Sequence, residues 1–286
     1  MKVGIGLPTT IPGVERGQVL DWARRAEAAG FSTLGTLDRL VYPNWEPLVA
    51  LGGAAAVTER IGLMTAVLLV PWRQNAALVA KQAATVHALS EGRLTLGMGL
   101  GSRDDDYKAT GVPTKGRGKR FDAMLDEIRR LWDGEEVGYA GGVGPDVSGD
   151  QPNIIIGGTA DRAFRRAARY GDGWMLGGGA PDRFPELAEK LNAAWAEEGR
   201  DGEPRRMALT YFALGDDPDG DTERSIGDYY SFAPEYAAAV VSGTAKGEQG
   251  VRDRVAQFRE AGVDEVVMFP ASPDPEQVEM LARAAL

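Results

Sequence analysis

RIGLMTAVLLVPWRQNAALVAKQAATVHALSEGRLTLGMGLG, residues 60–101, decides the fold. Its first eleven residues, RIGLMTAVLLV, are the most strand-like run in the chain. Its middle, residues 75–92, reads as a helix that Asn75 caps and Gly92 closes. It ends in a second strand, residues 93–101. Both strands are apolar on both faces, as parallel strands covered by helices must be. The stretch is therefore a strand–helix–strand unit.

The same alternation runs outward in both directions. Upstream lie a strand at 2–8, an amphipathic helix at 14–30 with Val19, Trp22, Ala23 and Ala26 on one stripe, a strand at 31–38 and a helix at 46–59. Downstream, residues 102–115 read as a polar loop, 118–134 as a helix and 138–152 as a glycine-rich surface excursion. Strands follow at 153–158, 172–179, 205–215 and 263–270. Helices are expected at 159–171, 181–199, 222–243, 248–261 and 274–286. Eight strands alternating with helices favour a closed α/β (β/α)8 TIM barrel with short insertions over an open doubly wound sheet. No linker divides the chain, so residues 1–286 are read as one domain.

Composition narrows the chemistry. The absence of cysteine excludes disulfides, thiolate metal sites and a cysteine nucleophile. The single histidine, His87, lies mid-helix and excludes a multi-histidine metal centre. A net charge of −10 with no Lys/Arg block gives no expectation of nucleic-acid binding. The N-terminal residues lack the apolar core of a signal peptide, and no apolar run is long enough to span a membrane. The expected compartment is the cytoplasm.

In a barrel the chemistry sits at the C-terminal strand ends. Glycine crowds three of them: Gly99 and Gly101 at the fourth, Gly157 and Gly158 at the fifth, Gly177, Gly178 and Gly179 at the sixth. Gly97, Gly99 and Gly101 are spaced G-x-G-x-G, and the next helix starts near residue 118, so this is not a dinucleotide loop. The better anion-site candidate is IIIGGTADR, residues 154–162, where Thr159 caps the next helix. An ordinary βα turn explains it equally well, and Asp161 would sit close to a bound phosphate. Asp38 ends the second strand, where a turn aspartate is the better reading than a ligand contact on the residues alone. Arg39 and Arg73 are candidates to hold an anionic substrate or to pair with Asp104-Asp105-Asp106, a run read as solvated. No lysine sits in an apolar strand as a Schiff base requires. Glycine-lined strand ends with almost no acid/base or metal apparatus suit an enzyme whose cofactor carries the chemistry.

The chain resembles the bacterial luciferase-like flavin-dependent oxidoreductases. The resemblance is carried in order by AEAAGFSTLGTLDRL, by VTERIGLMTAVLLVPWRQNAALVAKQAATVHALSEGRLTLGMGLG, by GRGKRFDAMLDEIRRLW and by NIIIGGTADRAFRRAARYGDGWMLGG. It implies a (β/α)8 barrel that binds FMN or the 8-hydroxy-5-deazaflavin coenzyme F420. By position, Asp38, Ala66, Val67, Gly99, Gly101, Gly157, Gly158, Thr159, Gly177 and Gly178 are expected to line the cofactor. A non-prolyl cis peptide is expected at Ala66–Val67. Asp38 and Arg39 take the catalytic position, where many deazaflavin-using members carry Asp-His; arginine cannot act as a base there. It remains able to stabilise an anionic flavin or peroxide, or to bind an acidic substrate.

The first functional expectation is a monooxygenase using reduced FMN and oxygen on a small organic substrate, served by a separate flavin reductase. The second is an F420-dependent hydride-transfer dehydrogenase or reductase. A flavin-binding barrel without turnover is the third. The acidic net charge does not favour a polyglutamylated deazaflavin, which places FMN first. Trp45, Trp72, Tyr107, Phe212, Tyr229, Tyr230 and Phe232 are candidate substrate walls, and residues 228–236 a candidate helical lid. The family implies a homodimer through the helices after the second and third strands.

Overall fold

In the computed structural model, which describes residues 1–178 and 181–286, the alternation closes on itself. The first half runs β1 (Lys2–Gly6), α1 (Arg16–Ala29), β2 (Thr33–Thr36), α2 (Pro47–Ala55), β3 (Gly62–Leu69), α3 (Ala76–Leu89) and β4 (Leu94–Gly99). A short α4 (Asp104–Thr110) and α5 (Arg117–Trp132) follow, then β5 (Asn153–Gly157), α6 (Asp161–Tyr170), β6 (Gly173–Leu176) and α7 (Phe184–Glu197). The last part runs β7 (Arg205–Ala213), α8 (Pro218–Thr222), α9 (Pro234–Ser242), β8 (Ala245–Lys246), α10 (Gly247–Glu260), β9 (Glu265–Pro270) and α11 (Glu276–Ala285).

Every strand pairing is parallel. β1 to β7 pair in sequence, β7 pairs β9, and β9 returns to β1, which closes an eight-stranded (β/α)8 barrel. The extra strand, β8, adds two residues to the end of β7. Helix α3 starts as its sequence requires, with the Asn75 side chain accepting from the Leu78 N–H at 2.8 Å. The main core lies between barrel and helices, with Trp22, Trp132, Trp174 and Phe258 fully buried. A second apolar cluster fills the barrel, from Ile155, Met207, Leu209 and Val267 up to Ala66, Met175, Tyr211 and Tyr229.

Three expectations need correction. The stretch read as a polar loop at 102–115 contains α4, which starts on three acidic residues in the first turn, where the helix dipole favours them. The run Asp104-Asp105-Asp106 is not solvated as a whole, because Asp106 is buried and accepts the backbone N–H groups of Leu40 and Val41 at 3.0 and 2.7 Å. The helix expected over 222–243 is broken: a π-helical turn at Glu223–Gly227 follows α8, and residues 230–233 form a turn ahead of α9. Gly179, named with the sixth strand end, lies outside the described residues.

Candidate active site

A register shift in β3 shapes the site floor. β3 and β4 pair evenly through Thr65, the register slips, and pairing resumes at Leu68. Within the slip the Ala66–Val67 peptide is cis. Asp38, fully buried at the end of β2, braces the far side: its carboxylate accepts the Leu69 N–H at 2.8 Å and pairs with Arg73 Nη2 at 3.0 Å. Arg73 also reaches Glu46 at 3.1 Å and lies over the Trp72 ring. Burial pushes the Asp38 carboxyl up to about 6, against the opposing pull of Arg73 and the Leu69 N–H.

The glycine-rich strand ends fit around this floor. A Cβ on Gly99 would stand 2.7 Å from the Val67 side chain, and one on Gly157 would stand 3.2 Å from it. These two glycines therefore make room for Val67 itself, which lies between them beneath the opening. Above it a cavity of about 790 Å³ is lined by Ala66, Val67, Gly99, Gly101, Gly157, Gly158, Thr159 and Gly177, with Met175 and Ser102. Of the cofactor-lining positions expected from sequence, eight thus surround one cavity. Asp38 and Gly178 do not line it; Gly178 faces the Tyr236 hydroxyl.

One end of the cavity gathers backbone N–H groups and cationic side chains. Gly158 has φ +125°, a conformation that side chains rarely adopt. Helix α6 starts after Ala160 with no side-chain cap, so the expectation that Thr159 caps it is corrected; Thr159 is exposed at the rim. Helix α5 starts after Gly116, φ +79°, also with no side-chain cap. Both helix starts line the cavity, and their first-turn N–H groups carry the positive end of the helix dipole. Arg117, Lys119, Arg162 and Arg166 line it too, and among the described residues only Arg166 has a carboxylate within 4.0 Å, Asp122. Asp161, the residue that counted against the site, does not line the cavity. Sequence reading missed the 116–119 turn because its partner strand end is nearly forty residues away in the chain; the GRGKR spacing is the only local sign.

Arg39 stands apart from the cavity. It is buried, its Nη1 donates to the Tyr229 carbonyl and its Nη2 to the Val41 carbonyl, each at 2.8 Å, and Asp105 lies 3.8 Å away. The guanidinium lies 4.4 Å from the Tyr42 ring centre and 5.1 Å from that of Tyr229. Tyr42, Tyr229, Tyr230 and Tyr236 stack edge to face above the barrel, and the Tyr211 and Tyr230 hydroxyls bond at 2.6 Å. Of the other candidate walls, Phe212 belongs to the main core, and Trp72 and Tyr107 pack on each other. His87 is buried on α3, 3.4 Å from Asp150, on the outer side of the barrel.

The family model for luciferase-like monooxygenases matches residues 1–278. An uncharacterized protein of Mycobacterium tuberculosis is 35% identical over 62% of this chain and 71% of its own length. Among solved structures, an F420-dependent secondary alcohol dehydrogenase, crystallised with an F420–acetone adduct, superposes with a TM-score of 0.82 at 18% identity, over 99% of this chain and 97% of that one. The oxygenating constituent of 3,6-diketocamphane monooxygenase from Pseudomonas putida, in complex with FMN, superposes with a TM-score of 0.75 at 17% identity, over 100% and 96%.

Proposed function

The chain belongs to the luciferase-like monooxygenase family, and from that premise we propose that it is an oxidoreductase holding coenzyme F420, with hydride transfer to or from a small alcohol or carbonyl substrate. The observation that carries this reading is the cluster of cationic side chains on the cavity rim. Two uncapped helix starts with Arg117, Lys119 and Arg162 supply a positive field at one end of the cavity that suits a cofactor bearing several negative charges. A deazaflavin with a phosphodiester and a carboxylate tail uses it. The net charge of −10 argued the other way, but a cavity senses the charges on its own rim.

When bound, the deazaflavin supplies the hydride or accepts it. The chain's residues bind, orient and exclude water. Ala66 and Val67 form an apolar floor, held by Asp38 through Leu69. Gly99, Gly101 and Gly157 flank the floor closely, and the 158–162 and 116–119 turns take the anionic end. The substrate enters beside the tyrosine layer, whose rings fit an organic molecule rather than a strongly charged one.

FMN remains the second reading, favoured by the same apolar floor, which shields a flavin equally well. Equilibrium titration of the purified protein with F420, FMN and reduced FMN separates the two. F420 should bind at least tenfold more tightly than either form of FMN, and secondary-alcohol oxidation should be insensitive to oxygen. Tighter binding of reduced FMN with oxygen uptake would overturn the proposal.

A further inference from the structure

Tyr230 stands at the centre of the aromatic layer above the barrel. Tyr229, Tyr236 and Tyr211 meet its ring edge to face at 4.9, 5.1 and 6.0 Å between ring centres. Neighbouring side chains on β7 alternate in direction. Phe212 belongs to the main core outside the barrel, whereas Tyr211 belongs to the cluster inside it, together with Ala66 and Met175. Ala66 and Met175 also line the large cavity. Gly178 follows the cavity-lining Gly177, and a Cβ on it would stand 2.8 Å from the Tyr236 hydroxyl. The tyrosine layer therefore adjoins the cavity on the β6–β7 side.

Hydrogen bonding inside the layer does not balance. The Tyr211 and Tyr230 hydroxyls bond to each other at 2.6 Å, and among the described residues neither has another hydrogen-bond partner. Each phenol carries one donor hydrogen. Whichever of the two donates, one hydroxyl hydrogen is left without an acceptor. Tyr42 differs, because its hydroxyl is taken by Asp228 at 2.5 Å. Burial, with the neighbouring tyrosines, pushes Tyr211 and Tyr230 above the ordinary phenol range, so both stay neutral and keep their hydrogens. A donor held among rings and out of water is costly until an acceptor meets it.

We infer that the spare hydroxyl donor of the Tyr211–Tyr230 pair binds the oxygen of the substrate. This rests on the reading of an alcohol or carbonyl substrate given above. The pair selects a neutral molecule that carries an acceptor oxygen on an apolar frame. The surrounding rings take the frame and the hydroxyl takes the oxygen. A ketone and a secondary alcohol both present the lone pair it needs. A hydrocarbon of the same shape fills the same space and leaves the donor unmet.

The test is calorimetric titration of the full chain, loaded with oxidised F420 so that no hydride is available. The probes are cyclic ketones of increasing ring size and the methylene analogue of each, in which CH2 replaces the oxygen. The parent should bind the best-fitting ketone roughly tenfold more tightly than its analogue. Removing both partners of the hydroxyl pair keeps the shape and orphans no group. Tyr211→Phe/Tyr230→Phe should therefore bind ketone and analogue equally, by weakening the ketone alone, with F420 affinity unchanged. A merely structural pair would weaken both probes together. Equal binding of ketone and analogue by the parent, no binding of any ketone, or a preference that survives the double substitution would overturn the assignment and leave the F420 reading standing. Failure of F420 to bind would overturn that reading and the assignment with it.

Discussion

Arg39 Nη1 donates to the Tyr229 carbonyl at 2.8 Å, so the loop after β2 is fastened to the segment that follows β7. The same guanidinium holds the Val41 carbonyl and lies against the rings of Tyr42 and Tyr229. Arginine occupies the position where the family resemblance leads one to expect a histidine in deazaflavin-using members, and here it works as a clamp for the tyrosine layer. Arg39→Ala leaves two carbonyls without their donor and a gap among rings, at a cost of about 2 to 4 kcal/mol. The expected outcome is a Tm lowered by roughly 5 °C or more, with cofactor affinity within about twofold of the parent. Thermal unfolding and cofactor titration check it. An unchanged Tm together with lost turnover would instead place Arg39 among the reacting groups.

Asp38 gives a pH-dependent prediction. Burial raises its carboxyl to about 6, above the ordinary value of 3.8, so between these the native state binds the proton and the unfolded chain does not. Unfolding free energy from this group therefore decreases as pH rises from about 4 to about 6, and is restored on acidification. The difference of about two pH units corresponds to about 3 kcal/mol. Asn at this position does not titrate. The stability of the parent relative to Asp38→Asn should thus increase by up to about this amount as pH falls from 7 to 4. Denaturant unfolding of both proteins across that range measures it; a flat difference would mean that Asp38 titrates normally.

The barrel was legible because its signal is periodic and local. Each strand is a short apolar run, each helix has its own stripe, and eight units leave one closed arrangement. Gly97 lies inside the fourth strand, where a Cβ would stand 2.0 Å from the Thr65 carbonyl oxygen of the neighbouring strand. What the sequence hid was convergence. Gly99 and Gly157 read as space for a ligand, whereas they also admit the Val67 side chain from β3. The GRGKR turn looked like any helix start until β5 brought Gly158 beside it. Asp106 looked solvated because its partners, the Leu40 and Val41 N–H groups, lie more than sixty residues earlier.

The proposed anion site can be tested at Gly158. Its φ of +125° strains any side chain, and a Cβ would stand 3.2 Å from Ala163 at the start of α6. Gly158→Val should abolish measurable cofactor binding while leaving the barrel folded, as judged by circular dichroism and a cooperative unfolding transition. Retained affinity in a folded variant would remove the phosphate site from this turn.

The rim cations should act through their field rather than through contacts with reacting atoms. Arg117 and Lys119 start α5, line the cavity and have no carboxylate partner within 4.0 Å among the described residues. An unpaired cation facing a bound anion contributes in proportion to how little the solvent screens it, so its effect is largest at low salt. Arg117→Gln and Lys119→Gln should each weaken cofactor binding several-fold at low ionic strength, with a smaller loss at high salt, and each should flatten the dependence of affinity on salt. Turnover at saturating cofactor should stay near the parent value, because neither side chain belongs to the apolar floor at Ala66 and Val67. A loss of turnover that saturation does not restore would mean that the 116–119 turn also orders the reacting end of the cavity.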